Sequence, residues 1–328
     1  MMKKFLKLMA VNRSFFLFVF LIGMFVVFSF IIPEFSTIYN VLNMTKYGVE
    51  IGLLAFAETL IIISGGGGID LSIGSILSLS AMVIGVLAGR LGVNIVIASI
   101  LGIITGGLCG VVNGFFVSFL RIPPLIVTLS TMYVYDSLAL LIAVDKWGNP
   151  MPVSNFPYGY YFIGQQTYFN IPFQVIAIFI PLALMLHFVL SKTTFGRYLV
   201  ATGNSEVVAR FSSVPVRRVK FTVYVIGGFL AGLAALIMTS RIASARPDLG
   251  AGLNLQAITI AVLGGTNIMG GEGSILGTLM AIVVITALYN GLQLAGISSI
   301  WQVGTLGIIL IGSAIANIIL SKKFSSVE

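Results

Sequence analysis

Charge is what this sequence has least of. Asp, Glu, Lys and Arg make up 9% of 328 residues and apolar side chains 58%, where a soluble domain carries ~25% charged residues to clothe its core. The shortage excludes a soluble globular protein and leaves an integral membrane protein. Cysteine is nearly absent as well. Cys109 is the single one, which excludes an internal disulfide and a Cys-based metal site; in its apolar surroundings it reads as a small core residue. One histidine, His187, among scattered carboxylates makes no metal site, and no hydrolase triad stands out. Also missing is any G-x-x-x-x-G-K-[ST] run, so no phosphate cradle for ATP is encoded and any ATP-driven step needs another chain. Nothing calls for a cofactor.

The charge that is present is lopsided, with 18 Lys and Arg against 10 Asp and Glu. On a polytopic chain such an excess reports orientation in the bilayer and not nucleic-acid binding. The basic stretch Lys3, Lys4, Lys7 and Arg13 leads into apolar Phe15–Ile32 with no small-residue cleavage pattern after it, so a retained first helix is expected. Apolar runs bounded by Gly, Pro, Asn or charge predict ten spans: Phe15–Ile32, Gly48–Ser64, Ile69–Gly89, Asn94–Leu120, Pro124–Val144, Pro172–Leu190, Val219–Thr239, Leu255–Met269, Ser274–Leu294 and Ser299–Leu320. An eight-span version, with the Gly-rich third and eighth segments re-entrant, is equally open. In the ten-span threading with the N-terminus inside, thirteen Lys and Arg fall on the cytoplasmic side and five (Lys46, Arg90, Lys146, Arg241, Arg246) outside. That bias puts both termini and the long basic loop Ser191–Lys220 in the cytoplasm. The expectation is a single all-α transmembrane domain over 1–328, with residues 191–220 as a cytoplasmic loop within it.

A faint internal echo accompanies this pattern. Ser99–Gly102 recurs as Ser274–Gly277, Asn113-Gly114 as Asn290-Gly291 and Thr128-Leu129 as Thr305-Leu306, at offsets of 175, 177 and 177. Chance is one reading, since these residues are abundant. The other is a repeat five helices long, whose copies would cross the membrane in opposite senses, as in many transporters.

The least ordinary segment is Ile63–Ser75, which holds four successive glycines, Gly65–Gly68, and then Ile69-Asp70-Leu71-Ser72. Glycine costs a helix ~1 kcal/mol relative to Ala, so the helix should break here. A break at membrane depth needs protein or a water-filled cavity around its bare backbone. Gly67, Gly68, Asp70 and Ser72 therefore become candidates for the translocation path, Asp70 equally for a helix cap. Glu58 and Asp136 are further acids deep in apolar runs. Gly106, Gly107 and Gly110 read as close helix packing. In the loop Ser191–Lys220, Thr194–Arg197 reads as a turn before a short helix around Ala201–Arg210. Asn204 or Ser205 would cap it, Glu206 lies in its first turn and Arg210 near its end. Val207, Val208 and Phe211 give it an apolar face, which either rests on lipid headgroups or docks a cytoplasmic partner.

Three motifs together, Gly68–Ser75 (Gly-Ile-Asp-Leu-Ser-Ile-Gly-Ser), Thr-Phe-Gly-Arg with Ala-Thr-Gly-Asn (Thr194–Asn204), and Leu263–Thr278 with its Leu-Gly-Gly-Thr and Gly-Gly-Glu-Gly-Ser, resemble the permease subunit of ribose-type ABC sugar importers. The similarity runs from about Tyr39 to Leu320, in order. It implies a pore made with a second permease copy or a sister permease, an extracytoplasmic sugar-binding protein outside and a cytoplasmic ATP-binding subunit inside. By the same resemblance Gly203, Asn204, Glu206, Ala209 and Arg210 belong to the coupling helix, and Gly264, Gly265 and Asn254 join the path. Two departures stand out: that family commonly has two glycines before Ile-Asp-Leu-Ser, and usually Glu at the position of Asn254. Arg241, Arg246 and Asp248 on one outer loop, with the aromatic-rich stretch Asp145–Asn170, are candidate docking surfaces for the binding protein. The rival class is an ion-gradient-driven secondary transporter, for which the intramembrane acids are Glu58, Asp70 and Asp136 alone.

Overall fold

The apolar runs fold as helices in a computed structural model that describes residues 13–144, 148–298, 300–309 and 311–312. They are α1 (Arg13–Ile31), α2 (Ile38–Ile63), α3 (Ile73–Gly85, prolonged by a π-turn over Val86–Arg90), α4 (Ile95–Ser118), α5 (Pro124–Ala143), the short α6 (Tyr161–Gln165), α7 (Ile180–Lys192, entered by a π-turn over Val175–Phe179), α8 (Thr194–Asn204), α9 (Glu206–Phe211), α10 (Val216–Ile242), α11 (Leu253–Leu263), α12 (Ile275–Leu294) and α13 (Ile300–Ile309). The strands among the described residues are two dipeptides, Thr167–Tyr168 and Ile171–Pro172, paired antiparallel. Among the described residues six helices, α3 to α5, α7, α10 and α12, are long and apolar enough to cross a bilayer. The chain is a polytopic all-α membrane protein.

Three boundaries differ from the sequence expectation for physical reasons. Helix α2 begins at Ile38, ten residues before the apolar run at Gly48, because Thr37 caps it by accepting from Asn40 N at 3.3 Å. From Gly48 onward α2 is buried in the bundle. The third span starts at Ile73, since Ile69 and Asp70 are irregular and Leu71–Ser72 form a turn. The eighth, expected over Leu255–Met269, is the 11-residue α11, ~16 Å long at 1.5 Å per residue and about half a hydrocarbon core. Within the last expected span, Ser299–Leu320, positions 299, 310 and 313–320 lie outside the described residues.

Order and direction recur. Helix α2, a break at 64–72, α3 and α4 are followed about 180 residues later by α10, a break at 243–252, α11 and α12. The sense is inverted: Lys220 in the first turns of α10 meets Gly65 beyond the end of α2, and Phe119 after α4 packs on Phe221 of α10 at 5.6 Å. Helix α12 begins where α2 ends, with Gly273 against Ile63. Gly74 of α3 and Gly250, in the break before α11, touch reciprocally, a side chain on either overlapping the other's carbonyl oxygen.

Backbone-to-backbone contact also sets the main helix crossing. Gly106 and Gly110 of α4 face Gly228 and Gly232 of α10, with no room for a Cβ between Gly106 and Gly228. Paired small-x-x-x-small motifs supply packing where lipid gives no hydrophobic drive for helices to associate. At the far end Arg90 donates to the carbonyls of Ile142 (3.3 Å) and Val144 (2.9 Å), closing carbonyls that the end of α5 leaves open. Gly228→Ala should lower the thermal unfolding temperature of the purified permease, by the ~1–3 kcal/mol of an overpacked core. Gly23→Ala on α1, where a methyl meets nothing within 4 Å, should leave it unchanged or higher. Equal melting of the two variants would contradict this packing account.

Candidate functional site

At one end of the bundle three glycine turns meet. Gly65 follows α2, Gly203 sits in the last turn of α8, and Gly270 and Gly271 lie between α11 and α12; Gly65, Gly203 and Gly270 each have another's backbone where a Cβ would be, and Gly271 has the Asn204 side chain there. Gly271 N donates to Ile63 O at 3.0 Å, so the junction is hydrogen-bonded as well as packed. Gly65, Gly270 and Gly271 have φ of +71°, +95° and +79°, the left-handed region that glycine enters without penalty. Helix α9 hangs directly from this junction. Ser205 caps it, accepting from Val208 N at 3.3 Å, while Asn204 instead packs its side-chain oxygen on Gly271. Thr194–Arg197, read from sequence as a turn leading in, is instead the start of helix α8, capped by Thr193. Glu206 pairs with Arg210 at 3.4 Å and, more tightly, with Lys220 of α10, whose ammonium also reaches Gly65 O at 3.4 Å. Ala209 is buried against the bundle, while Val207, Val208 and Phe211 are exposed. Phe211 is 88% exposed, and Met269 beside the junction glycines 80%.

Above the junction, the break between α2 and α3 exposes peptide groups that side chains from three helices meet. Thr128 of α5 donates to Ile69 O (3.2 Å), Asn254 of α11 donates to Leu71 O (2.9 Å), and Glu58 of α2 accepts from Asp70 N (3.3 Å). Asp70 turns back on its own segment, its Oδ1 accepting from Ser72 N (2.9 Å) and Ser72 Oγ (2.6 Å). Asn113 of α4 completes the cluster, donating to Ser72 Oγ at 2.8 Å and accepting from Tyr135 at 3.3 Å. Glu58, Asp70, Ser72 and Asn113 are all buried. An unmet polar group in such a setting costs ~1–3 kcal/mol, so this network is what allows the chain to unwind inside the bundle. Gly68 is packed on Ile61 O, while Gly67 is open.

Other expected site residues fall elsewhere. Gly264 packs against the backbone of Gly277 and Thr278, and Gly265 (φ +98°) makes the turn after α11, so both serve helix contact and chain reversal. Toward the opposite end, a cavity of about 280 Å³ is lined by Ser75, Ser78, Asp136, Asp248 and Asn254. Arg246 grips Asp248 through Nε (2.9 Å) and Nη2, both exposed; hydrogen bonding from that guanidinium is the main force holding the Asp248 carboxyl below the usual carboxylate range. Arg241 is not on that open surface. Its side chain is 17% exposed and paired with Glu50 at 2.6 Å. The described part of the expected aromatic loop, from Gly148 to Asn170, presents Tyr158 and Phe169 almost fully to the outside; positions 145–147 lie outside the described residues.

Sequence reasoning missed Lys220, Asn113 and Glu50. Glu50 carried the same signal as Glu58, an acid inside an apolar helix. Lys220 read as one more loop cation, and only its proximity to Glu206 marks it out. Asn113 gave no local sign beyond its recurrence as Asn290.

With this geometry in view, comparison with known proteins is direct. The family model described as the branched-chain amino acid transport system / permease component matches residues 40–314. The ribose import permease protein RbsC of Bacillus subtilis (strain 168) is 39% identical over 290 residues, 87% of each chain. The autoinducer 2 import system permease protein LsrD of Salmonella typhimurium (strain LT2) is 34% identical over 294 residues, 88% of this chain and 87% of the relative. LsrD of Yersinia pseudotuberculosis serotype O:3 (strain YPIII) is 35% identical over 271 residues, 81% and 80%. No solved structure matches. The family model spans nearly all of α2, every described helix after it and all three glycine motifs, and the chain therefore belongs to this family of transport permeases, in its branch of ribose-type ABC sugar importer permeases.

Proposed function

We propose that this permease imports a monosaccharide or sugar-like solute across the cytoplasmic membrane, driven by a separate ATP-binding subunit that docks on α9. The observation that carries the reading is the mechanical continuity of α9. A short helix exposes Val207, Val208 and Phe211 at its outer surface, and its root is fixed through Gly203, Glu206 and Lys220 to the ends of α2 and α10. Displacing α9 would therefore displace the α2–α3 break and the α11–α12 turn together. Support for the substrate class comes from relatives named for ribose and autoinducer 2 import. The thirteen-to-five charge bias supports placing α9 and both termini in the cytoplasm. On the other side, Arg246, Asp248 and the exposed Tyr158 and Phe169 would face a solute-binding protein. A second permease copy or a sister subunit would complete the pore.

The direct test is reconstitution. With its ATPase and binding protein, the permease should drive uphill uptake in vesicles that stops with a hydrolysis-deficient ATPase and persists with a proton uncoupler at constant ATP. Uphill uptake by the permease alone would overturn the proposal.

Two substitutions probe the mechanism. Glu206→Lys sets a second cation against Lys220; the pair's loss should cost ~1–3 kcal/mol, less than the ~3–5 of a fully buried pair, because Glu206 keeps 33% exposure. Membrane insertion should persist while uptake falls at least ~10-fold, as a 1.4 kcal/mol loss would give, and the swap Glu206→Lys with Lys220→Glu should recover part of it. Wild-type uptake by Glu206→Lys would remove the pair from the mechanism. At the break, Asp70→Asn keeps an acceptor for Ser72 and should retain more uptake and thermal stability than Asp70→Ala, which strands two donors at ~1–3 kcal/mol each. Equal loss of uptake in both, at wild-type stability, would assign the role to Asp70's charge instead.

A further inference from the structure

Toward the end of the bundle opposite the glycine junction, between α2, α10, α11 and α12, lies a cavity of about 230 Å³. It is large enough for several waters or one small polar molecule. Its wall contains a buried ion pair that is only half used. Arg241 Nε donates to Glu50 Oε1 at 2.6 Å, and the guanidinium lies 4.8 Å from the centre of the Tyr47 ring. Arginine and carboxylate usually join through two parallel bonds. Here Glu50, 3% exposed, keeps Oε2 buried with no partner among the described residues. Thr286 Oγ1 of α12, on the same wall, is likewise buried and partnerless. Gln256 of α11 also lines the cavity, and its side-chain amide makes no hydrogen bond to another described residue.

Buried polar groups are nearly always hydrogen-bonded, so two vacant valences on one cavity wall point to an occupant. Its chemistry follows from the wall. Glu50 and Arg241 cancel in charge, which favours neither an anion nor a cation. A carboxylate oxygen asks for a donor, a guanidinium for an acceptor, and a hydroxyl or an amide can meet either; a hydroxyl group on the occupant supplies both functions from one atom. We propose that this cavity is a transit subsite for a neutral, hydroxyl-rich solute, held by Glu50 Oε2, Thr286 Oγ1 and the Gln256 amide. The inference rests on the import function proposed above and names where in this chain the solute is held. Arg241 acts as a positioning residue, holding Glu50 Oε1 and leaving the second carboxylate oxygen free to accept from the solute.

The test uses the full-length permease in vesicles with its ATPase and binding protein, carrying Gln293→Cys, a lining position outside the proposed contacts; the native Cys109 is buried. The measured quantity is the rate of modification by a methanethiosulfonate reagent, alone and with D-ribose, D-xylose, L-arabinose or D-galactose in excess, and with choline chloride or sodium glutamate as charged controls. At least one neutral sugar should slow modification several-fold while the charged solutes do not. Adding Thr286→Val, which keeps the side-chain shape and removes the hydroxyl, or Glu50→Gln should abolish most of that protection. The second variant guards against a misfolded first, since correct folding is read from the unprotected rate. Protection by no sugar, protection by the charged solutes alike, or protection unchanged in both variants would overturn the subsite. ATP-dependent uptake measured in the same vesicles separates the two claims. Uptake without protection sinks the subsite alone, whereas uptake that ignores the ATPase sinks the import reading itself.

Discussion

Direct contact between backbones, at places where a side chain would not fit, is the constraint on which this permease is built. It appears at the α4–α10 crossing, at the Gly74–Gly250 contact between the two inverted halves, and at the junction of Gly65, Gly203, Gly270 and Gly271. In lipid, apolar side chains gain little by leaving their surroundings, so close approach and dispersion carry more of the association than burial does. Contacts of this kind are stiff. A peptide plane pressed against another peptide plane has no rotamer through which to absorb a displacement, whereas long side chains would bend and dissipate it. The junction therefore suits the transmission of a push from α9 into the membrane.

The glycine junction adjoins the α2–α3 break, where the chain unwinds inside the bundle. The α2–α3 break survives because Thr128, Asn254 and Glu58 each meet a different bare peptide group, so three helices hold the segment in register. Asn254 is informative here. It acts as a donor to a carbonyl, which an ionised Glu in its place would not do. The extra glycines have a comparable reading: Gly65 makes the junction, Gly66 leaves room for Lys220 and Glu206, Gly67 turns with φ +72°, and Gly68 packs on α2. Each of the four has its own geometric reason.

The sequence made most of the membrane architecture legible because hydrophobic length is a local property. The runs beginning at Pro124 and Ser274 ended within one residue of the helices they became. Local reading failed where composition and geometry part company. Leu255–Met269 looked like one span because Thr266, Asn267 and Ile268 do not interrupt an apolar average, although Gly264 and Gly265 end the helix. Asn40, Asn43 and Lys46 looked like loop but lie on α2, capped by Thr37. The site was legible in its motifs and not in its pairings. Glu206 stood out in the loop, yet its partner Lys220 and the glycines of two other segments are joined only by folding. Arg241 read as outer surface because a cation after an apolar run belongs there on average, and the acid that draws it inward, Glu50, is 191 residues away.

The central claim is that movement of α9 reaches the membrane through the glycine junction, and its most direct measure is the number of solute molecules imported per ATP hydrolysed. A methyl group at Gly203 would press on Ile63 O and Gly271 N without altering the exposed face of α9. In the reconstituted complex, Gly203→Ala should keep assembly and ATP hydrolysis while that ratio falls several-fold. An unchanged ratio at equal assembly would contradict the account.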